Sequence, residues 1–129
     1  MHARAITGAE FPKAIEEGIV LVDFWATWCG PCRAFAPIFE RSAAAHPDVA
    51  FLKIDTDAES GLAGALQVQS IPTVMAFRDG VLLFRHAGLV PEEGLRSLIE
   101  QLRSLDMDEV RAKIAAADAR EDAGENPEA

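Results

Sequence analysis

A chain of 129 residues, half of them hydrophobic, is long enough for one domain with its own packed core. A formal net charge of −9 leaves no basic stripe for nucleic acid, and no window approaches the ~18 consecutive apolar residues of a membrane span. Two cysteines three positions apart cannot form the disulfide framework of a small secreted fold, so the pair reads as redox or metal chemistry. The first fifteen residues hold Arg4 and Lys13 but no apolar stretch of a secretory signal, and a cytoplasmic protein is expected.

In chain order, Ala3 to Ile6 reads as a short strand. Thr7-Gly8-Ala9-Glu10 has the form of a capping box. With Phe11, Ala14 and Ile15 it predicts a first helix from about Gly8 to Glu17, closed by Gly18. Ile19 to Trp25 is nearly continuous apolar sequence interrupted by Asp23, the pattern of a parallel strand covered on both faces. Phe35, Ile38, Phe39, Ala43 and Ala44 recur at helical spacing. Pro31 fits that helix only if it begins close to Cys29, Pro37 is expected to kink it, and His46-Pro47-Asp48 ends it.

Val49 to Asp55 predicts a second buried strand and Ala58 to Gln67 a short helix weakened by Gly61 and Gly64. Val74 to Arg78 and Val81 to Arg85 flank Asp79-Gly80, a type I′ hairpin signal. Pro91-Glu92-Glu93 opens a helix with the apolar face Leu95, Leu98, Ile99 and Leu102. The order (β)αβαβαββα predicts an α/β fold: a mixed central sheet of four to five strands with helices on both faces. Residues 1–105 form the expected domain. Met107, Val110, Ile114 and the alanines predict one more helix over 106–119. Residues 120–129 are expected to be an acidic disordered tail. Eight acids stand against three bases from Asp106 onward, and keeping this end solvated is their simplest role.

Val20 to Cys32 carries the chemistry. Cysteines at i and i+3 at a helix start can reach disulfide geometry, with Cβ atoms about 3.5–4.5 Å apart. At the N-cap, Cys29 would lie beside unpaired backbone N–H groups and the positive end of the helix dipole, both of which favour its thiolate. Cys32, one turn inside, is expected to be more buried and harder to ionise. Cys29 then attacks a substrate disulfide, and Cys32 attacks the resulting mixed disulfide. That second attack needs a base. Asp23, the one acid in its buried strand, is expected to have a raised pKa suited to proton transfer, although a hydrogen-bonded structural acid would read the same way. A structural zinc needs four ligands, and His2, His46 and His86 show no ligand spacing, so no metal is expected.

At D-F-W-A-T-W-C-G-P-C the sequence resembles the thioredoxin family. The resemblance extends to Pro37, Lys53-Ile54-Asp55, Ile71-Pro72-Thr73, Asp79-Gly80 and Ala87-Gly88, over about residues 3 to 105. It implies a thioredoxin fold and a general protein-disulfide reductase with no bound cofactor, serving cell redox homeostasis. Reducing equivalents would come from NADPH through thioredoxin reductase. Carried over by position, Cys29 and Cys32 form the redox disulfide, Cys29 is the nucleophile, Cys32 the resolving thiol and Asp23 the buried base. The resemblance also implies a cis Ile71–Pro72 bond facing the pair. It implies a flat substrate groove of Trp28, Gly30, Pro31, Ile71, Pro72 and Gly88, where a substrate segment pairs its backbone with residue 71. The partners implied are thioredoxin reductase and disulfide-containing proteins, met by a monomer. Phe51 stands where many bacterial members place a lysine near the buried acid. Lys53, on the same strand face, is expected to compensate in part. Ser70 replaces a frequent glycine, and Arg33 adds a cation beside the pair.

Two other functions compete. One is a binding, assembly or holdase module, in which Met107, Val110 and Ile114 dock to a partner or a second copy. The other is a disulfide oxidase or isomerase, which runs the exchange in the other direction.

Overall fold

The apolar run from Ile19 to Trp25 becomes the central strand of a five-stranded mixed sheet. The computed structural model describes residues 2–122. In chain order the elements are β1 (Arg4–Ala5), α1 (Phe11–Ala14), β2 (Ile19–Trp25), α2 (Gly30–Ala45) and β3 (Ala50–Asp55). They continue with α3 (Ser60–Ala65), β4 (Thr73–Arg78), β5 (Val81–Ala87), α4 (Glu92–Ser104) and α5 (Met107–Asp122). The strand order is β1-β3-β2-β4-β5. β1 and β2 each run parallel to β3; β4 and β5 are antiparallel.

Alternation along each strand sorts the core into two layers. Val20, Val22 and Phe24 of β2 join Leu52, Ile54, Met75 and Phe77 on one face, covered by Phe11 of α1 and Leu62 and Leu66 near α3. Leu21, Phe51, Val74 and Ala76 take the other face, beneath Phe35 and Phe39 of α2 and Leu95 and Ile99 of α4. Asp23 falls on the α2 side of the sheet by the same period of two, between its register neighbours Lys53 and Val74.

The hairpin follows its sequence signal. Asp79 and Gly80 both have positive φ, +52° and +83°, as a type I′ turn requires. The first helix is shorter than expected, four residues in place of about ten. The capping-box bonds do form, with Thr7 N donating to Glu10 Oε1 and Glu10 N to Thr7 Oγ1. They close a turn, however, and only Phe11 of the helix is buried, too little to hold more turns. The helix expected over Ala58–Gln67 contracts to Ser60–Ala65, because Asp55 Oδ1 takes the N–H groups of Asp57 and Ala58 into a turn. Pro91 is the N-cap of α4, one place before the first turn. At the far end, α5 runs to Asp122. Residues 120–122, expected in a disordered tail, are helical, supported along the helix by Asp108–Arg111 and Glu109–Lys113 pairs and by alanine-rich sequence. The rest of that tail lies outside the described residues.

Candidate redox site

Cys29 is the N-cap of α2, with extended backbone (φ −86°, ψ 113°), and Pro31 sits in the first turn as its missing N–H allows. Cys29 Sγ accepts a hydrogen bond from Cys32 N at 3.2 Å, so the sulfur occupies the place of a capping oxygen at the positive end of a 16-residue helix. The two cysteines form a disulfide, with Cα atoms 5.2 Å apart. One expectation needs correcting. In this oxidised state the two residues are equally shielded, 4% and 3% exposed. Their difference is one of surroundings. Cys29 Sγ lies 3.7 Å from the carbonyl oxygen of Ile71, while Cys32 borders a 90 Å³ pocket shared with Trp25, Arg33 and Lys53.

The Ile71–Pro72 peptide bond is cis. Pro72 O accepts from Gly88 N at 2.7 Å, which ties the loop after β5 to the loop before β4. Gly88 holds φ +116°, a conformation that side-chain-bearing residues rarely adopt. Ile71 packs with Ala26, Cys29 and Cys32. Cys29, Cys32, Ile71, Pro72 and Gly88 therefore meet at the carboxyl end of β2, where open α/β sheets place their sites. Gly30 and Pro31 are exposed on the first turn of α2. Trp28 is 66% exposed, and its indole N–H donates to Asp57 Oδ2 at 2.8 Å. Sequence reasoning missed Asp57. Its signal was position, at the carboxyl end of β3 beside the redox loop. Ser70 is exposed, and its carbonyl accepts from Thr73 Oγ1.

Asp23 is 1% exposed, and neither carboxylate oxygen has a hydrogen-bond partner among the described residues. Burial pushes its pKa from 3.8 up to about 7; the charge of Lys53 pulls the other way and loses. Lys53 Nζ also stands 5.1 Å from the centroid of the Trp25 ring, a cation–π contact that holds the ammonium on the α2 face. Phe51 fills the other position on that face, packed against Phe39 with ring centroids 5.0 Å apart. Among the described residues, no three His, Cys, Asp or Glu side chains gather in a cluster fit for a metal ion, and no helix is long and apolar enough to cross a membrane.

What a dithiol/disulfide pair at a helix start does is exchange with other disulfides, so fold and site together define a thiol–disulfide oxidoreductase. Comparison with known proteins narrows that class. Residues 2–101 match the Thioredoxin family model. A relative from Streptomyces coelicolor is 45% identical over 116 residues, 89% of this chain and 87% of its own. The thioredoxin of Staphylococcus aureus is 41% identical over 97 residues, 74% of this chain and 93% of its own. Among solved structures, chloroplastic thioredoxin z superposes with a TM-score of 0.75 at 29% identity, covering 81% of this chain and 97% of that one. The chain belongs to the thioredoxin family. Its activity is that of a protein-disulfide reductase; the binding-module and oxidase readings are not favoured.

Proposed function

We propose that Cys29 is the nucleophile of this reductase, Cys32 its resolving thiol and Asp23 the base that serves Cys32. The observation that carries the reading is the capping bond from Cys32 N to Cys29 Sγ at the start of α2, which favours a thiolate at position 29 once the pair is reduced. The Cys29 thiolate attacks one sulfur of a substrate disulfide, forms a mixed disulfide and expels the other substrate sulfur as a thiolate. Cys32 loses its proton to Asp23, attacks Cys29 Sγ and expels the second substrate thiolate. Two electrons pass to the substrate, and the Cys29–Cys32 disulfide remains.

Asp23 suits this step because its pKa near 7 lets it accept and return a proton at neutral pH. Lys53 keeps that value from climbing further. The groove of Trp28, Gly30, Pro31, Ile71, Pro72 and Gly88 receives an extended substrate segment, supported by the position of the Ile71 carbonyl beside Cys29. Re-reduction by thioredoxin reductase at the expense of NADPH, in the cytoplasm, and action as a monomer complete the reading; family membership supports the first.

The test is reduction of insulin with dithiothreitol, followed by turbidity. Wild type accelerates precipitation and Cys29→Ser does not. Equal rates would remove the proposal.

A further inference from the structure

Directly after Gly88 in sequence, Leu89 and Val90 open onto a mostly apolar groove that the exchange chemistry does not use. Between β5 and α4 lies an open space of about 320 Å³ walled by Phe84, Leu89, Val90 and Leu98. Its floor is core: Val90 is buried, and Phe84 and Leu98 pack on the α2–α4 layer. The space exists because α4 turns two small residues toward it. A Cβ on Gly94 would sit 3.0 Å from Val90 Cγ1, so the close approach of helix and loop keeps glycine there. Ser97, one turn on, leaves the remaining volume open.

Three observations say what fits. Among the described residues, no Asp, Glu, Lys or Arg lines the groove; its polar side chains are His86, Ser97 and Gln101, and the rest of its wall is apolar or glycine, which favours an uncharged side chain. Leu89 is one of four large hydrophobics left exposed among the described residues, and Trp28, in the redox loop, is another. Leu89 directly follows Gly88, whose N–H is bonded to Pro72 O, so the groove begins one residue from the loop that faces Cys29.

We propose that this groove receives an aliphatic side chain of the disulfide-bearing substrate, a few residues from the half-cystine held at Cys29. It thereby biases the reductase toward disulfides with an apolar neighbour on one side. The proposal rests on the substrate-groove reading above. Burying one aliphatic side chain is enough to change affinity tenfold.

The probe is a set of alanine-based peptides with one cysteine, each a disulfide-linked dimer, in which a single leucine is walked across the four positions on either side. Dithiothreitol regenerates the protein. At one offset, leucine raises kcat/KM about tenfold over alanine, through KM, and aspartate gives no gain. Ser97→Phe, which fills the groove, cuts the leucine gain below twofold; Ser97→Ala retains it. Leu89→Ser, on the exposed wall, also reduces it. Using the leucine-to-alanine ratio removes any loss of folded protein from the comparison. The proposal is overturned if no offset shows a gain, if Ser97→Phe keeps the gain, or if Ser97→Phe changes the mass in solution, which would assign the groove to a second copy. Equal turnover of the all-alanine peptide by wild type and Cys29→Ser would sink the reductase reading and this proposal with it. Loss of that turnover in Cys29→Ser without a leucine gain would sink the groove alone.

Discussion

Asp23 sits where a carboxylate is least welcome, 1% exposed and, among the described residues, without a hydrogen bond to either oxygen. Its folded-state pKa of about 7 lies above the ordinary 3.8, so the folded protein holds a proton that the unfolded chain has already lost. The stability that this proton brings is complete below about pH 4 and is lost as pH rises through 7. Asp23→Asn removes that dependence. It is expected to gain little stability at pH 4 and on the order of 4 kcal/mol at pH 8, read by urea denaturation at both values. If Asp23 is the base for Cys32, the same variant loses the rise in single-turnover release of mixed disulfide that wild type shows between pH 6 and 8. A second prediction isolates Lys53. Its charge favours the Asp23 carboxylate, so Lys53→Met moves the Asp23 titration further upward, measured by the carboxyl carbon shift in NMR. An unchanged midpoint would mean that burial alone sets it. The acid and its lysine were legible in the sequence, since a period of two puts Asp23 beneath α2 and Lys53 beside Phe51. The contacts that hold them were not. The Trp25 ring under Lys53 and the Asp57 partner of Trp28 depend on how strand ends meet in space, which no local pattern encodes.

At the scale of elements, the helix that matters most was also the easiest to read. Cys29 precedes a proline in the first turn and an apolar stripe, and α2 starts where those signals say. Short helices were read less well, because α1 and α3 bury one residue each and their ends are set by turns and by other strands. Two arginines illustrate this. Arg85 of β5 donates to the carbonyls of Leu66 and Gln67 at the end of α3. Arg78 of β4 donates to Leu102 O at 2.6 Å and Leu105 O at 2.7 Å, where α4 ends and α5 follows. In sequence both look like solvated strand arginines; in space they donate to carbonyls at or just past a helix end, where intrahelical donors run out. Arg78→Ala is therefore expected to cost about 1–3 kcal/mol of stability, measured by chemical denaturation. A loss no larger than that of an exposed-arginine control such as Arg33→Ala would show that water replaces the bonds at no cost.

The whole molecule is a two-layered core around one sheet, followed by a helix that contributes little to it. α5 buries only Met107 and lies beyond the residues that the family model matches. Removing residues 109–129 is expected to leave the melting temperature within about 2 °C and insulin reduction unchanged, whereas Met107→Asp costs stability. A large drop on truncation would show that α5 is part of the fold. The mixed sheet and both helical layers were legible because parallel strands, the hairpin turn and helical stripes each leave a periodic signal; the strand order, with β4 antiparallel beside β2, was not, since no local pattern encodes which strands pair. What α5 packs against was not, since its few apolar residues fit a free surface helix as well as a docked one. The redox pair joins these scales: a residue made reactive by a helix end that a packed sheet holds in place. Trapping tests this most directly. Cys32→Ser, reduced and mixed with insulin, is predicted to accumulate a covalent adduct at Cys29, identified by intact mass and released by dithiothreitol, while Cys29→Ser yields none. An adduct at Cys32 in Cys29→Ser, with none at Cys29, would contradict the account.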